Sequence, residues 1–538
     1  MFGNYCETRK NNGSRQENGC GHFADITPKA LKAIQDLGAT HVWYTGVIRH
    51  ATAERNTPEI TKGKAGSPYA ITDYYDVDPD LAVNEEERMA EFEALVKRTH
   101  RVGLKVIIDF VPNHVAREYK SLCKPEGVED LGEKDNPNWA FSPLNNFYYC
   151  PGEKFEPPFA IGDYSEMPAK ATGNDCFTAH PGPNDWYETV KLNYGVFYQG
   201  GGEKQFSPIP STWYKMRDIL LFWAGKGVDG FRCDMAEMVP VEFWEWVIPQ
   251  VKTPIPLKGE ENQPIFIAEV YNPSMYRAYL AAGFDYLYDK VGMYDYLRGV
   301  TSKNWPVEGI SGQWQVVDDI KDRMLYFLEN HDEQRIASGF YCGSGLCAEP
   351  AMIVAATLGT NPIMVYMGQE LGEKGMDCEG FSGIDGRTTI FDYWGVKSIQ
   401  AWANKGKFDG KHLTEAQQEL RTFYRTVLNI ARNEKAVTEG KMYDLEYAQG
   451  EGFNKHEQFA YLRSNGQETI LFVLNFDDRK VNVQTRIPRD AFDYLRLPMQ
   501  EKVEAVDLLT GETYSFALND HDTIDICLPA WKGVALRF

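Results

Sequence analysis

The chain has 538 residues, a formal net charge of −21, ordinary globular shares of hydrophobic (43%) and charged (25%) residues, and a rich aromatic content of 13%. That length calls for two or three domains, one of them large, and the acidity argues against a nucleic-acid partner, which needs clustered Lys and Arg. No apolar run is long enough to span a membrane, and the ten cysteines contain no CxxC pair that would mark a metal site.

After a polar start, MFGNYCETRKNNG, which has no signal-peptide character, the chain falls into a repeating theme of short apolar strand, polar tip and amphipathic helix between 28 and 395. PKALKAIQDLGA predicts a helix and THVWYTGV (40–47) the strand after it. EEERMAEFEALVKRTHRVG carries apolar residues at helical spacing up to Gly103 and leads into LKVIIDFVPNH (104–114), a continuous apolar strand of the kind buried on both faces. The cycle recurs at GVDGFRCD (227–234), PIFIAEV (264–270), FDYLYD (284–289), RMLYFLENHD (323–332) and NPIMVYMGQE (361–370).

Seven strands in β/α alternation predict an α/β fold, a (β/α)8 TIM barrel short of its first strand. MFGNY reads as the tail of that strand, which implies an incomplete N-terminus. THVWYTGV then counts as the second strand, and the aperiodic stretch rich in Pro, Gly, Asn and Tyr after the third reads as an insertion lobe. Beyond the helix TEAQQELRTFYRTVLNIARNE come MYDLEYA, QFAYLRSNG, ETILFVLNF, KVNVQTRI, VEAVDLLTGETYSFAL and WKGVALRF. These short β segments between turns predict a C-terminal antiparallel sandwich. The expected domains are a barrel over 1–114 and 197–436, an insertion over 115–196 and a sandwich over 437–538.

Catalytic groups of such barrels collect at the C-terminal strand ends. Asp109, Asn113 and His114 stand at one predicted end, Arg232 and Asp234 at the next, then Glu269, and later Asn330, His331 and Asp332. Arg232 and Asp234 are two apart on a strand, so they share a face. Two carboxylates about 5 Å apart suit a retaining glycosidase, one attacking the anomeric carbon and the other protonating the leaving oxygen. Singly, each residue has a structural reading: Arg232–Asp234 as an ion pair, His114 as a core histidine, Asp109 as a holder of loop amides. Their coincidence at four strand ends favours a pocket.

Four stretches in order resemble the short signature regions of the α-amylase family of retaining glycosidases, glycoside hydrolase family thirteen: DFVPNH (109–114), GFRCDMAEM (230–238), IAEV (267–270) and FLENHD (327–332). The resemblance extends over about 20–538. It implies Asp234 as nucleophile, Glu269 as general acid/base and Asp332 as transition-state stabiliser. It implies sugar contacts from Arg232, His331 and His114, with Asp109 and Asn330 in support. SPYAITDYYDVDP (67–79) is similar to the family's segment after the second strand, which implies that Tyr69 stacks on the same sugar. KLN (191–193) looks like the fifth signature in its neopullulanase-like and cyclomaltodextrinase-like form, and IDGRTTIFDYW (384–394) implies a role for Asp385 and Arg387 on the next sugar.

One departure bears on cofactors. Family members typically carry Lys-His where this chain has Glu237 and Met238, the Lys on the leaving-group side and the His carbonyl on calcium. Asn113 matches another calcium ligand, but one match does not make a cage of six or more oxygens, so no cofactor is expected to be required. The expected substrate is a starch-type α-glucan or maltooligosaccharide. Neopullulanase-like, α-glucosidase-like and transglycosylase activities stay open as alternatives, and a metal-dependent barrel hydrolase or a non-catalytic sugar-binding protein stands further off. The net charge and cysteines favour an exported protein over a cytoplasmic one.

Overall fold

The computed structural model describes residues 8–253, 255–257 and 260–538; MFGNY lies outside the described residues. Seven parallel strands form where the apolar runs predict them: β1 (His41–Tyr44), β2 (Lys105–Phe110), β3 (Gly230–Cys233), β4 (Ile265–Ala268), β5 (Tyr286–Tyr288), β6 (Met324–Phe327) and β7 (Ile363–Met364). They follow one another in the sheet in chain order, as in a (β/α)8 TIM barrel, with an antiparallel β-domain at the C-terminus. The helices between them form for the reasons visible in sequence. Over Arg88–Arg101, Phe92, Leu95, Val96 and Thr99 fall on one buried stripe, and Gly103 takes a positive φ of 80° to turn the chain into β2. Thr414 opens the helix Glu415–Asn433 with a capping box closed by Gln417.

The chain divides into two compact units. The first comprises Met1–Lys32, Thr40–Leu287 and Thr389–Phe408. Here LKVIIDFVPNH does not run as one strand. β2 stops at Phe110, and a separate strand, His114–Ala116, pairs antiparallel with Thr189–Lys191 of the inserted stretch, His114 opposite Lys191. Pro112 has no N–H for a ladder bond, and the carbonyls around it are taken from outside the sheet. The Tyr74 hydroxyl donates to Val111 O, Tyr194 Oη donates to Pro112 O at 2.7 Å, and Leu192 N donates to Asn113 O at 3.0 Å. Asn113 therefore belongs to the turn after β2, and His114 to the short strand that pairs with the insertion, not to the end of the barrel strand.

The second unit comprises Ala33–Ala39, Tyr288–Thr388 and Asp409–Phe538. Its C-terminal part is a six-stranded antiparallel sheet in the order Lys441–Asp444, Gln458–Ser464, Thr469–Asn475, Gly533–Arg537, Gln500–Asp507, Thr513–Leu518, with Val481–Arg486 and Thr523–Leu528 paired separately. Leu462, Leu471, Val473, Val483, Ile526 and Leu536 share its core. The last strand of that pair, TIDICL, is absent from the sequence-based expectation although Ile524, Ile526 and Leu528 alternate with exposed neighbours. The intervening helix Arg489–Leu495 was likewise not expected.

Arg463 is 2% exposed, and the cation is met by backbone carbonyls alone among its hydrogen-bond acceptors: Ala436 O at 3.2 Å, Leu358 O and Gly440 O at 2.9 Å, and Val437 O. Burial pushes its pKa down to about 10. Replacing it by Met strands four carbonyls, each costing about 1–3 kcal/mol if left dry. Arg463→Met is expected to lower unfolding stability by about 3 kcal/mol or more, measured by urea titration of this part of the fold.

Candidate active site

The register of β2, β3 and β4 arranges the charges. Arg232 lies opposite Asp109 on one side and Ile267 on the other. One residue past the strands the ladder continues, with Asp234 N donating to Phe110 O at 2.9 Å and Glu269 N donating to Cys233 O at 3.2 Å. Side chains alternate along a strand, so Arg232 and Asp234 share one face and Cys233, fully buried, packs on the other. Asp234 and Glu269 then sit at the same level on adjacent strand ends, one layer above the Asp109–Arg232 pair.

Arg232, 1% exposed, binds all three carboxylates: Nη1 lies 2.9 Å from Asp234 Oδ1 and 3.3 Å from Asp109 Oδ1, and Nη2 lies 2.7 Å from Glu269 Oε2. Its guanidinium also rests against the Trp43 and Tyr69 rings, 5.3 and 5.5 Å from their centroids. Trp43 Nε1 donates to Asp109 Oδ2 at 3.0 Å, and the Tyr69 hydroxyl lies 3.4 Å from Asp109 Oδ1. Glu269 accepts two further bonds, from Met235 N to Oε2 at 2.7 Å and from the Tyr271 hydroxyl to Oε1 at 2.8 Å. Met235 reaches it from a left-handed conformation, φ 44° and ψ 44°, a strained backbone of the kind found at functional sites.

Burial raises the Asp109 carboxyl to about 6, helped by the charge of Glu269 and opposed by Arg232 and Trp43. Burial, with Lys191 nearby, pushes His114 down to about 3, so its imidazole is neutral at ordinary pH. Trp186 packs against the His114 ring at 5.4 Å.

Asn330, His331 and Asp332 lie in the second unit, on the loop after β6. Asn330 Oδ1 accepts from Asp332 N and Glu333 N, both at 2.9 Å, and the buried His331 places Nε2 3.2 Å from Asp332 Oδ2. The Asp332 side chain is 38% exposed, so it remains accessible. Arg387 Nε donates to Asp332 O at 2.7 Å, and Arg387 Nη1 pairs with Asp385 Oδ2 at 3.1 Å. Beneath this loop Arg335 and Glu329 form a buried pair at 2.8 Å, and Glu329 Oε1 accepts from Ile336 N at 2.7 Å.

Several participants escape a reading by motif. Trp43 looks like one more apolar strand residue. Tyr271 stands two positions after Glu269, a spacing that does carry a signal. Glu237, in place of the family's Lys, uses Oε2 to accept from Tyr271 N at 3.1 Å and Asn272 N at 3.0 Å, and so fixes the loop that follows Glu269. Asn113 places Nδ2 2.8 Å from Gly173 O and gives Oδ1 to the Lys191 ammonium.

The ends of adjacent parallel strands thus gather three carboxylates around one buried guanidinium. The family model described as "Alpha amylase, catalytic domain" matches residues 9–264. The chain is 23% identical over 496 residues to an α-amylase of Streptomyces lividans, covering 85% of this chain and 51% of that one. It is also 23% identical over 520 residues to an α-1,4-glucan:maltose-1-phosphate maltosyltransferase of Cereibacter sphaeroides, covering 92% and 62%. The chain thus spans about half to three fifths of the length of these relatives. Its fold is similar to that of a maltogenic α-amylase of Thermotoga neapolitana, with a TM-score of 0.65 at 19% identity, covering all of this chain and 97% of that one.

The raised pKa of Asp109 makes a pH prediction. The folded protein holds this proton more tightly than the unfolded chain, whose carboxyl titrates near the ordinary 3.8. The contribution of Asp109 is therefore most favourable below the unfolded value and is lost as pH rises through about 6. Asp109→Asn is expected to gain stability relative to wild type between about pH 4 and about pH 7, on the order of 2–3 kcal/mol. Paired urea titrations at the two ends of that range measure it.

Proposed function

We propose that the protein cleaves α-glucosidic bonds of starch-type glucans or maltooligosaccharides with retention, through a covalent glycosyl-enzyme intermediate. The observation that carries the reading is the pair Asp234 and Glu269, side by side on adjacent strand ends and both ligated by Arg232. The likeness to α-amylases supplies the substrate class.

Asp234 Oδ attacks the anomeric carbon while Glu269 gives its proton to the glycosidic oxygen, which leaves as the alcohol of the departing sugar. Water then adds to the anomeric carbon as Glu269 takes back a proton, and the Asp234 ester breaks. Arg232 stabilises the ionised nucleophile and loses nothing on substrate entry, because it is already desolvated. The proton of Glu269 belongs on Oε1: Oε2 faces two N–H donors, Arg232 and Met235, whereas the Tyr271 hydroxyl beside Oε1 is able to accept as well as donate. Asp332 is the proposed transition-state stabiliser, with His331 and His114 on the sugar hydroxyls, Tyr69 stacked on its ring, Asp109 and Asn330 in support, and Asp385 and Arg387 at the next sugar.

Transfer to a sugar hydroxyl instead of water is the second reading, favoured by the likeness to a maltosyltransferase. The two share every step up to the intermediate.

Asp234→Asn is expected to lower turnover of maltooligosaccharide by about a thousandfold or more while leaving its binding measurable by calorimetry. Near-normal turnover would refute the nucleophile. Proton NMR during the first minutes of cleavage should show α-configured product, and β product would refute retention. Product profiles on starch, pullulan, cyclodextrin and short maltooligosaccharides, with and without an acceptor sugar, separate hydrolysis from transfer.

A further inference from the structure

Lys191 lies in the strand that pairs with His114–Ala116, and its side chain is 1% exposed. Its ammonium donates to Asn113 Oδ1, to Met238 O at 3.1 Å and to Asp175 Oδ1 at 2.7 Å, and the Tyr198 ring closes a further side at 5.3 Å from its centroid. Three N–H donors meet three oxygens. The Asn113 amide is held in the orientation this requires, because its Nδ2 is committed to Gly173 O at 2.8 Å.

These are the oxygens that a calcium ion would use here: a side-chain amide oxygen, a carboxylate and a main-chain carbonyl. The donor set nevertheless does not fit the ion. Calcium takes six or more oxygens, and a buried ammonium stands where they converge, so a divalent cation would meet a like charge in place of a ligand. We infer that Lys191 is the structural cation of this cluster: its ammonium takes the place of a metal and ties four segments of the first unit together. Those segments are the turn after β2, the inserted loop bearing Asp175, the strand bearing Lys191 and the turn after β3. The last begins at the proposed nucleophile and ends at Met238. The inference rests on this geometry and stands apart from the catalytic reading, since its test measures melting and not turnover.

The Lys191→Met variant keeps most of the stem and removes the charge. Removing one partner of a buried ionic cluster leaves the others unpaired, and the full chain is expected to melt about 5 °C or more below wild type. Prolonged incubation with EGTA should leave that gap unchanged, because wild type owes nothing at this cluster to a bound metal. A variant that melts with wild type would overturn the inference, as would a gap that closes on chelation. Should Lys191→Met fail to accumulate, Asp175→Asn at the more exposed end of the cluster gives the same reading. A lowered melting temperature insensitive to EGTA supports the inference, and an unchanged one overturns it.

Discussion

Burying a guanidinium is costly unless each of its faces and N–H groups is met, and Arg232 is the point on which the first unit turns. It cannot be solvated, since it is 1% exposed. The strands around it supply three carboxylates and two aromatic faces instead. Burial of this cluster favours the neutral form of one of its carboxyls. That one is Asp109, the lowest of the three in the layer, where burial outweighs the attraction of Arg232. Arg232 holds Asp234 and Glu269 through its two terminal nitrogens, one on each side of the guanidinium fork.

The same economy governs the turns beyond the strands. Between β2 and the insertion, Val111, Pro112 and Asn113 lose their sheet partners, and two tyrosines and a backbone amide take up the carbonyls. After β3, Met235 accepts a left-handed backbone so that its N–H reaches Glu269, and Met238 turns its carbonyl to Lys191. Glu237 in the same turn ties down the loop after β4. Met235 and Glu237 are thus bonded to the segment that carries Glu269, and Met238 to the insertion.

Much of this was legible in sequence because it depends on periods and spacings. Seven apolar runs between amphipathic helices marked the seven strands, and the i, i+2 spacing put Arg232 and Asp234 on one face. Asp109 could be placed only by its position at a strand end; that the register sets it opposite Arg232 carries no mark in the sequence. What escaped depends on partners distant in sequence. His114 and Asn113 read as strand residues because they follow the mostly apolar run LKVIIDFV, whereas Pro112 ends the ladder and Lys191, 77 residues after His114 in the chain, pairs opposite it. Trp43 and Arg463 carry no local mark of their roles, since an indole N–H or a guanidinium finds its acceptors only after the chain has closed. TIDICL is different: its alternation of buried and exposed residues is a local signal that marks a strand.

Placing the family's calcium position under an ammonium has a consequence for how the insertion is held. A divalent ion exchanges with solvent, so the order of the segments it joins varies with its concentration. A lysine side chain is covalently present at unit occupancy, and it leaves only when its own strand leaves. The turn that begins at Asp234 is therefore fastened to the insertion by folding alone, and the geometry of the Asp234–Glu269 pair is set by the same chain that supplies the two carboxylates. The price is adaptability: an oxygen cage can shift its ligands around a sphere, whereas three N–H directions fix Asn113, Asp175 and Met238 in one arrangement.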